Sequence, residues 1–447
     1  MCHHACVTDV PEWSIPRTGG PGRFPLLEPF QYRPWVRVWA ASLVSQLGDW
    51  MQIFARAALA YRLTGEPSSV GLIYFASYLP QLLLSLWGGV LADRFDRRRL
   101  LIGCQVAQMF GAVVMGVLVV TDSASLLNIA VLSFFIGFAF TLNIPAGQAL
   151  GPAVVPRPVL ASAISLWTAT GALCRVFGPV IAAALVGPVG LAWIFWINAA
   201  SFLAVIIAWA LTRIPRQPRL DREVPNLRAI REAARYVRRT PRVWVPIVVS
   251  AFLMSVGIVY QPLTIPYATA VLSGGAQLLG EERGGWLQGA LGLGAAVGIV
   301  GFSGIGRRHP GPTLVGTALA FSCALFALGR TSTFSVALGV CFVMGAMHYA
   351  NMTLCMNLVQ HDVPEVMRGR VMAIQMLGVI GFVPIASLLG GFIADRIGIP
   401  ALYSAAGAIC LVFSLYALRW RNLVSMQVGP ESPETIAAVG LVLEEEG

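Results

Sequence analysis

Three charged residues interrupt apolar stretches of this chain. Asp49 lies in "SQLGDWMQIFARAA", Arg56 follows seven residues later, and Arg175 stands in "GALCRVFGPVIAAAL". A charge at the centre of a bilayer costs roughly 2.5–3.5 kcal/mol on insertion scales, so such residues mark function. A carboxylate can take up and release a proton, and a guanidinium can hold an anion. Asp49 and Arg56 share one helical face, and a rise of about 1.5 Å per residue sets them roughly 10 Å apart. That is too far for a direct pair without bending or water. Two readings stay open. In one, Asp49 is a proton or substrate site in a central cavity. In the other it is the structural partner of Arg175 or Arg56, and removing either member strands the other.

Asn143, Gln148, Asn198, Gln261, His348 and Asn351 are further polar candidates. Of these, Asn198, His348 and Asn351 are expected to join Asp49, Arg56 and Arg175 as coupling and substrate residues. His348, in "GAMHYANMT", is of the one type that titrates near physiological pH unperturbed. A lone His within a span is, however, more often a hydrogen-bonded packing residue. Trp50, Tyr74, Tyr78, Tyr260 and Tyr267 offer aromatic walls for a bulky amphipathic substrate, or anchors at the membrane interface. Cys2 and Cys6 flank His3 and His4 in "CHHAC", but the stretch is short and unframed, so no metal is expected. Six other Cys fall in apolar runs and act as small hydrophobes. Neither a nucleophile elbow nor a phosphate loop is present. No cofactor and no enzyme activity are expected.

The elements that carry these residues follow from composition. The chain has 447 residues, 57% hydrophobic and 12% charged, against about 25% charged in soluble domains. The mean hydropathy is +0.73. Apolar runs of about 20 residues predict an all-α integral membrane protein rather than a membrane β-barrel. About twelve spans can be drawn, near 38–61, 69–92, 99–120, 124–148, 159–186, 190–212, 243–271, 285–305, 312–329, 333–357, 371–394 and 398–420. The division read from them is an arm (1–34), a six-helix half (35–212), a basic linker (213–242), a second six-helix half (243–420) and a tail (421–447). Within the linker, residues 226–239 predict an amphipathic helix at the membrane surface, with Leu227, Ile230, Ala234 and Val237 along one side.

All 31 basic residues are Arg, and the net charge is +10. Excess Arg in such a chain marks cytoplasmic loops rather than nucleic acid. With the amino terminus inside, 25 Arg fall in cytoplasmic segments and four, Arg62, Arg283, Arg330 and Arg396, in outside loops. The positive-inside rule then places both termini in the cytoplasm of a multi-pass inner-membrane protein. The halves echo each other: Val155-Pro156 and Val363-Pro364 occupy corresponding loops. Two such halves joined by a long loop are the organisation of a parallel-repeat secondary transporter.

The stretch "GGVLADRFDRRRLL" (88–101) ends one apolar run in a burst of charge. It resembles the signature between spans 2 and 3 of the major facilitator superfamily, with Gly89, Asp93, Arg94, Arg97 and Arg98 at the matching positions. Asp96 stands where the family has a second glycine, and Asp tolerates such a turn. "RVFGPVIAAALVGPVGLAWIFWINAASF" (175–202) and "VPEVMRGRVMAIQMLGVIGFVPIASLLGGFIADRIG" (363–398) are similar to the exporter branch related to macrolide and enterobactin efflux. The likeness covers nearly all of 35–420. It implies the twelve-helix, two-half fold, a cavity-facing Arg175, and a cytoplasmic latch in which Asp93 meets the start of span 11 near Arg368, Gly369 and Arg370. Gly178-Pro179 resembles part of the span-5 signature of proton antiporters, and such a pair lets a helix bend. "GGFIADR" (390–396) repeats the letters of the motif on the outside face, and its Asp395-Arg396 reads as an ordinary helix end.

The function implied is a proton-coupled exporter of a small amphipathic compound, a drug, macrolide or siderophore, acting as a monomer in the lipid bilayer. An importer or lysophospholipid flippase on the same fold is the alternative. A transport-inactive scaffold or sensor needs no charges within its spans.

Overall fold

Local chemistry sets where the helices begin and end in the computed structural model, which describes residues 25–84, 96–151, 154–212 and 227–419. α1 (Arg33–Thr64) has a proline in its first turn and stops at Gly65. There φ is +71°, and the Gly65 N–H reaches back to Tyr61 O. Glycine adopts that left-handed geometry without steric cost. α2 is described over Pro67–Leu84. α3 (Arg97–Val120) opens on Asp96, whose Oδ1 accepts from the Arg99 N–H at 2.9 Å. Asp96 therefore serves the turn as a helix cap in extended geometry, not through a left-handed conformation. α4 (Leu126–Leu150) carries a reciprocal cap between Ser125 and Asn128. α5 (Leu160–Val189) and α6 (Leu191–Leu211) complete the first half.

The second half begins after a short helix, α7 (Leu227–Arg239), and comprises α8 (Pro241–Val256), α9 (Gln277–Arg308), α10 (Pro310–Leu328), α11 (Phe334–Asp362), α12 (Glu365–Ile380), α13 (Val383–Ile397) and α14 (Ile399–Ala417). Two of its spans are broken. After α8 come Gly257, Pro262 and Pro266, and the chain passes through a 3₁₀ turn (Gly257–Tyr260), a helical turn (Thr264–Tyr267) and a π turn (Ala268–Leu272). Proline withholds backbone donors there, so a regular helix cannot continue. α12 and α13 form one span interrupted at Gly381–Phe382 ahead of Pro384. Counted this way, the described residues form twelve spans, six in each half. Among the described residues, ten helical stretches are long and apolar enough to cross a membrane, α12 and α13 counting as one. Leu127, Phe110 and Val412 are 74%, 67% and 67% exposed on the outer surface. Apolar side chains facing outward all round are what a lipid environment requires.

Within the first half α1 packs on α5 and α6, α3 on α4 and α6, and α2 on α4. In the second, α9 and α10 pack on α11, and α14 on α10. The halves meet through α2 with α13 and α5 with α9. α7 packs on α8 and α12, with Ala233, Tyr236 and Val237 buried. Its inner face is thus turned by about one residue from the expected line, and Ala234 is only partly buried. The reason is tertiary: the helix docks on the second half, where Tyr236 Oη donates to Asp362 O at 3.4 Å and Glu232 pairs with Arg370 at 3.6 Å.

Asn351 ties three of these helices together. Its Nδ2 donates to Leu314 O at 2.8 Å and Thr317 Oγ1 at 3.0 Å, and its Oδ1 accepts from Ser250 Oγ at 3.4 Å. Losing a buried hydrogen-bond partner costs about 1–3 kcal/mol. Asn351→Ala is therefore expected to lower the melting temperature of the detergent-purified protein by a few degrees, with substrate affinity unchanged. Differential scanning fluorimetry beside a binding assay checks both halves of that statement.

Candidate functional site

A cavity of about 360 Å³ lies between the halves. α1 lines it with Gln46, Asp49, Trp50, Ile53 and Arg56, a stripe at helical spacing. α2 adds Tyr74, Ser77, Tyr78 and Gln81, and α5 adds Arg175. From the second half come Met254, Gln261, Tyr349, Met352 and Val383, two of them beside the broken spans. A smaller space of about 190 Å³ continues from Asp49 past Gln46, Asn143 and Gln148 to Leu101 and Trp209, near the arginine-rich end of the bundle. On the other side a narrow recess of about 40 Å³ lies under Trp50, Arg175, Pro179, Gln288 and Tyr349.

The charges in this cavity are not paired with one another. Among the described residues no carboxylate lies within 4 Å of Arg56 or Arg175, and no basic group lies within 4 Å of Asp49. Arg56 is 6% exposed; its Nη1 donates to Ser77 Oγ at 3.3 Å and its Nε has no partner. Arg175 lies over the rings of Trp50 and Tyr349, its Cζ 4.7 and 5.0 Å from the two centroids. Cation–π contact of that kind offsets part of the cost of burying a guanidinium. The structural pairing of Asp49 with Arg56 or Arg175 is thus not formed in this structure.

The other expected cavity residues stand behind the wall. Asn198 is fully buried and donates to Gln52 Oε1, while its Oδ1 accepts from Ser201 Oγ at 2.9 Å, which joins α1 to α6. Asn351 is engaged as described above. His348 is 5% exposed among the rings of Tyr260, Phe321 and Tyr349. These three residues line none of the cavities described here. Each points into a helix–helix seam because its α-helical phase puts it there, and one sequence cannot reveal that phase relative to neighbours. Tyr267 likewise leaves the cavity: its hydroxyl lies 2.8 Å from both Leu328 O and Thr331 O. Gly178-Pro179 sits inside an unbroken α5, and a Cβ on Gly178 would meet Trp50, so this pair permits close packing of α1 on α5.

Of the expected gating motif, Gly89, Asp93 and Arg94 lie outside the described residues. Arg97 and Arg98 begin α3, and Arg98 Nη2 donates to Ala210 O at 2.7 Å, tying α3 to the end of α6. At the expected partner site, Arg370 pairs with Glu232 of α7, Arg368 lies 3.8 Å from exposed Glu365, and Gly369 faces open space.

The arginine-poor end holds a closure that the sequence reading missed. Arg62 at the end of α1 grips Glu281 of α9 through two hydrogen bonds of 2.6 Å, and Gln277 Nε2 donates to the same carboxylate at 2.9 Å. Glu281 is fully buried. Nearby, Asp395 Oδ1 accepts from the Ser68 N–H at 3.1 Å. This corrects the reading of Asp395 as an ordinary helix end: it caps the first turn of α2 in the opposite half, where the helix dipole favours an anion. Glycines allow the approach. A Cβ on Gly391 would lie 2.7 Å from Ser68 Cα, and one on Gly292 would lie 2.9 Å from Val176 Cα. The Glu281 signal, one acid opposite one Arg on two far-apart spans, becomes visible only once α1 and α9 are known neighbours.

Residues 25–438 match the family described as transmembrane secretion effector. The chain belongs to that family, within the major facilitator superfamily. Family and relatives are transporters, not enzymes. The multidrug efflux pump Tap of Mycolicibacterium fortuitum is 23% identical over 398 residues, 86% of this chain and 95% of that protein. The enterobactin exporter EntS of Shigella boydii is 26% identical over 386 residues, 86% of this chain and 87% of that one. In fold, the chain resembles the nucleoside transporter NupG, with a TM-score of 0.71 at 9% identity over 88% of this chain and all of that one. It also resembles a bacterial homologue of ferroportin in an inward-facing state, with a TM-score of 0.68 at 18% identity, covering 87% and 98%.

Breaking a buried ion pair from one side strands the other charge. Glu281→Gln and Arg62→Glu are each expected to cut transport at least about fivefold, and the swapped double variant Arg62→Glu/Glu281→Arg to recover a large part of it. Transport assays on variants matched for membrane expression check this; a swap no better than the singles refutes the pair as a working gate.

Proposed function

We propose that this transporter is a proton-coupled exporter of small amphipathic compounds, working as a monomer by alternating access. The observation that carries the reading is the inter-half cavity, in which Asp49 faces open space without a basic partner. A carboxylate so placed is free to exchange a proton as the cavity changes sides. Relatives named as an efflux pump and an exporter support the direction.

The arginine bias supports an orientation in which the arginine-rich end and both termini face the cytoplasm of a bacterial inner membrane. The end closed by Arg62–Glu281 and Asp395–Ser68 is then the outer one, and the state is inward-facing. Substrate enters past Gln148 and Asn143 to Asp49. A proton arriving from outside, driven by about 2.3 kcal/mol per charge per 100 mV plus the pH gradient, resets the cycle. Opening the outer end requires separation of Arg62 from Glu281 and of Asp395 from α2. Each contact is made once, at the rim, where water can replace it as the halves part.

Asp49→Asn fixes the site in a proton-bound mimic. It is expected to abolish proton-gradient-driven transport in inverted vesicles. Gradient-driven transport that survives in Asp49→Asn removes Asp49 from coupling, and flux independent of any gradient identifies a facilitator.

A further inference from the structure

The cavity wall holds two guanidinium groups and one carboxylate, and no two of the three lie within 4 Å, though Asp49 and Arg56 are within electrostatic reach of each other. Arg56 lines the cavity, is more than nine-tenths buried, and its Nε has no hydrogen-bond partner. Arg175 has aromatic faces on two sides and no acid. Tyr78 lies within electrostatic reach of both. Two buried cations with no acid in direct contact are a costly arrangement unless a ligand supplies the anion. Asp49, two helical turns before Arg56 on α1, is the opposite feature: an acid with no base in direct contact.

From this pattern we propose that the substrate is an amphoteric aromatic molecule, with an anionic group held by Arg56 and Arg175 and a basic nitrogen held by Asp49. The proposal rests on the export reading above and deepens it. Trp50, Tyr74 and Tyr349 supply flat faces for the aromatic body, and about 360 Å³ falls within the range of small-molecule sites. A simple lipophilic cation meets two guanidinium groups for one carboxylate and is disfavoured. A simple organic anion fits the guanidinium groups but not the coupling. A proton on Asp49 makes the cavity more positive and strengthens binding of an anion, so proton and anion would travel together. With an amphoteric substrate the proton and the basic nitrogen compete for Asp49. Competition at one carboxylate yields exchange, which an exporter driven by an inward proton gradient requires. The other ionisable groups facing the same cavity are Arg56, Arg175, Tyr74, Tyr78 and Tyr349, so Asp49 is its one acid among the described residues.

Three probes of one skeleton test the class with the purified full chain. Norfloxacin carries an aryl carboxylate and a basic piperazine; its methyl ester keeps only the base, and its N-acetyl derivative only the acid. Equilibrium dialysis is expected to show norfloxacin binding at least about tenfold more tightly than either derivative. Arg56→Gln and Arg175→Gln are expected to erase the preference over the ester alone, and Asp49→Asn the preference over the N-acetyl form alone. An ester or an N-acetyl form that binds as tightly as norfloxacin overturns the proposal, as does failure of all three to bind. The wild-type ranking decides this without any variant having to fold. Proteoliposomes separate the two levels. The expected ranking with no gradient-driven efflux sinks the export reading and keeps the ligand class. Gradient-driven efflux of the ester in preference to norfloxacin keeps export and sinks the class.

Discussion

A charge inside a bilayer must be answered by something, because lipid will not answer it. This chain answers its buried charges in two ways. At the arginine-poor end Arg62 and Glu281 answer each other completely, with two short hydrogen bonds and a third from Gln277. In the central cavity the charges are answered only in part, Arg56 by Ser77, Arg175 by aromatic faces and Asp49 by Asn198. The closed rim and the open cavity are two outcomes of one constraint. Complete pairing holds structure together; incomplete pairing leaves a site able to bind.

Close approach of the halves depends on residues that carry almost no side chain. Gly71 and Gly391 bring α2 and α13 together, and Gly285, Gly289 and Gly292 bring α9 onto Pro179, Val180 and Val176 of α5. Packing of small residues is how membrane helices associate when no hydrophobic force drives them. It is also readily undone, since few interlocking side chains must be withdrawn. A closure built from one ion pair, one helix cap and glycine seams is strong enough to hold one state and weak enough to leave it.

The buried polar residues divide along the same line. Asn198 and Asn351 make several hydrogen bonds each and bind helices to one another within a half. His348 sits among three aromatic rings. Polar atoms so engaged rigidify each half, and rigid halves are what allow motion to concentrate at the surface between them. Breaks in the second half serve that surface too: the turn at Gly257–Tyr260 brings Gln261 to the cavity, and the interruption at Gly381–Phe382 brings Val383.

Much of the fold was legible in the amino-acid order, because lipid imposes one-dimensional rules. A span must be long and apolar, and the "ADRFDRRR" burst marks a family signature wherever it folds. Asp49, Arg56 and Arg175 stood out for the same reason: charge within an apolar run is conspicuous without any coordinates. The sequence by itself therefore determined the membrane class, the two six-helix halves and the three cavity charges. Tertiary structure alone decided which polar residues face the cavity and which face a seam, because that depends on helical phase against a neighbour. It also decided that Asp395 reaches the start of α2 and Glu281 reaches Arg62, pairs separated by 327 and 219 residues. Contacts across such separations are set by how two halves stack, and no local pattern encodes them.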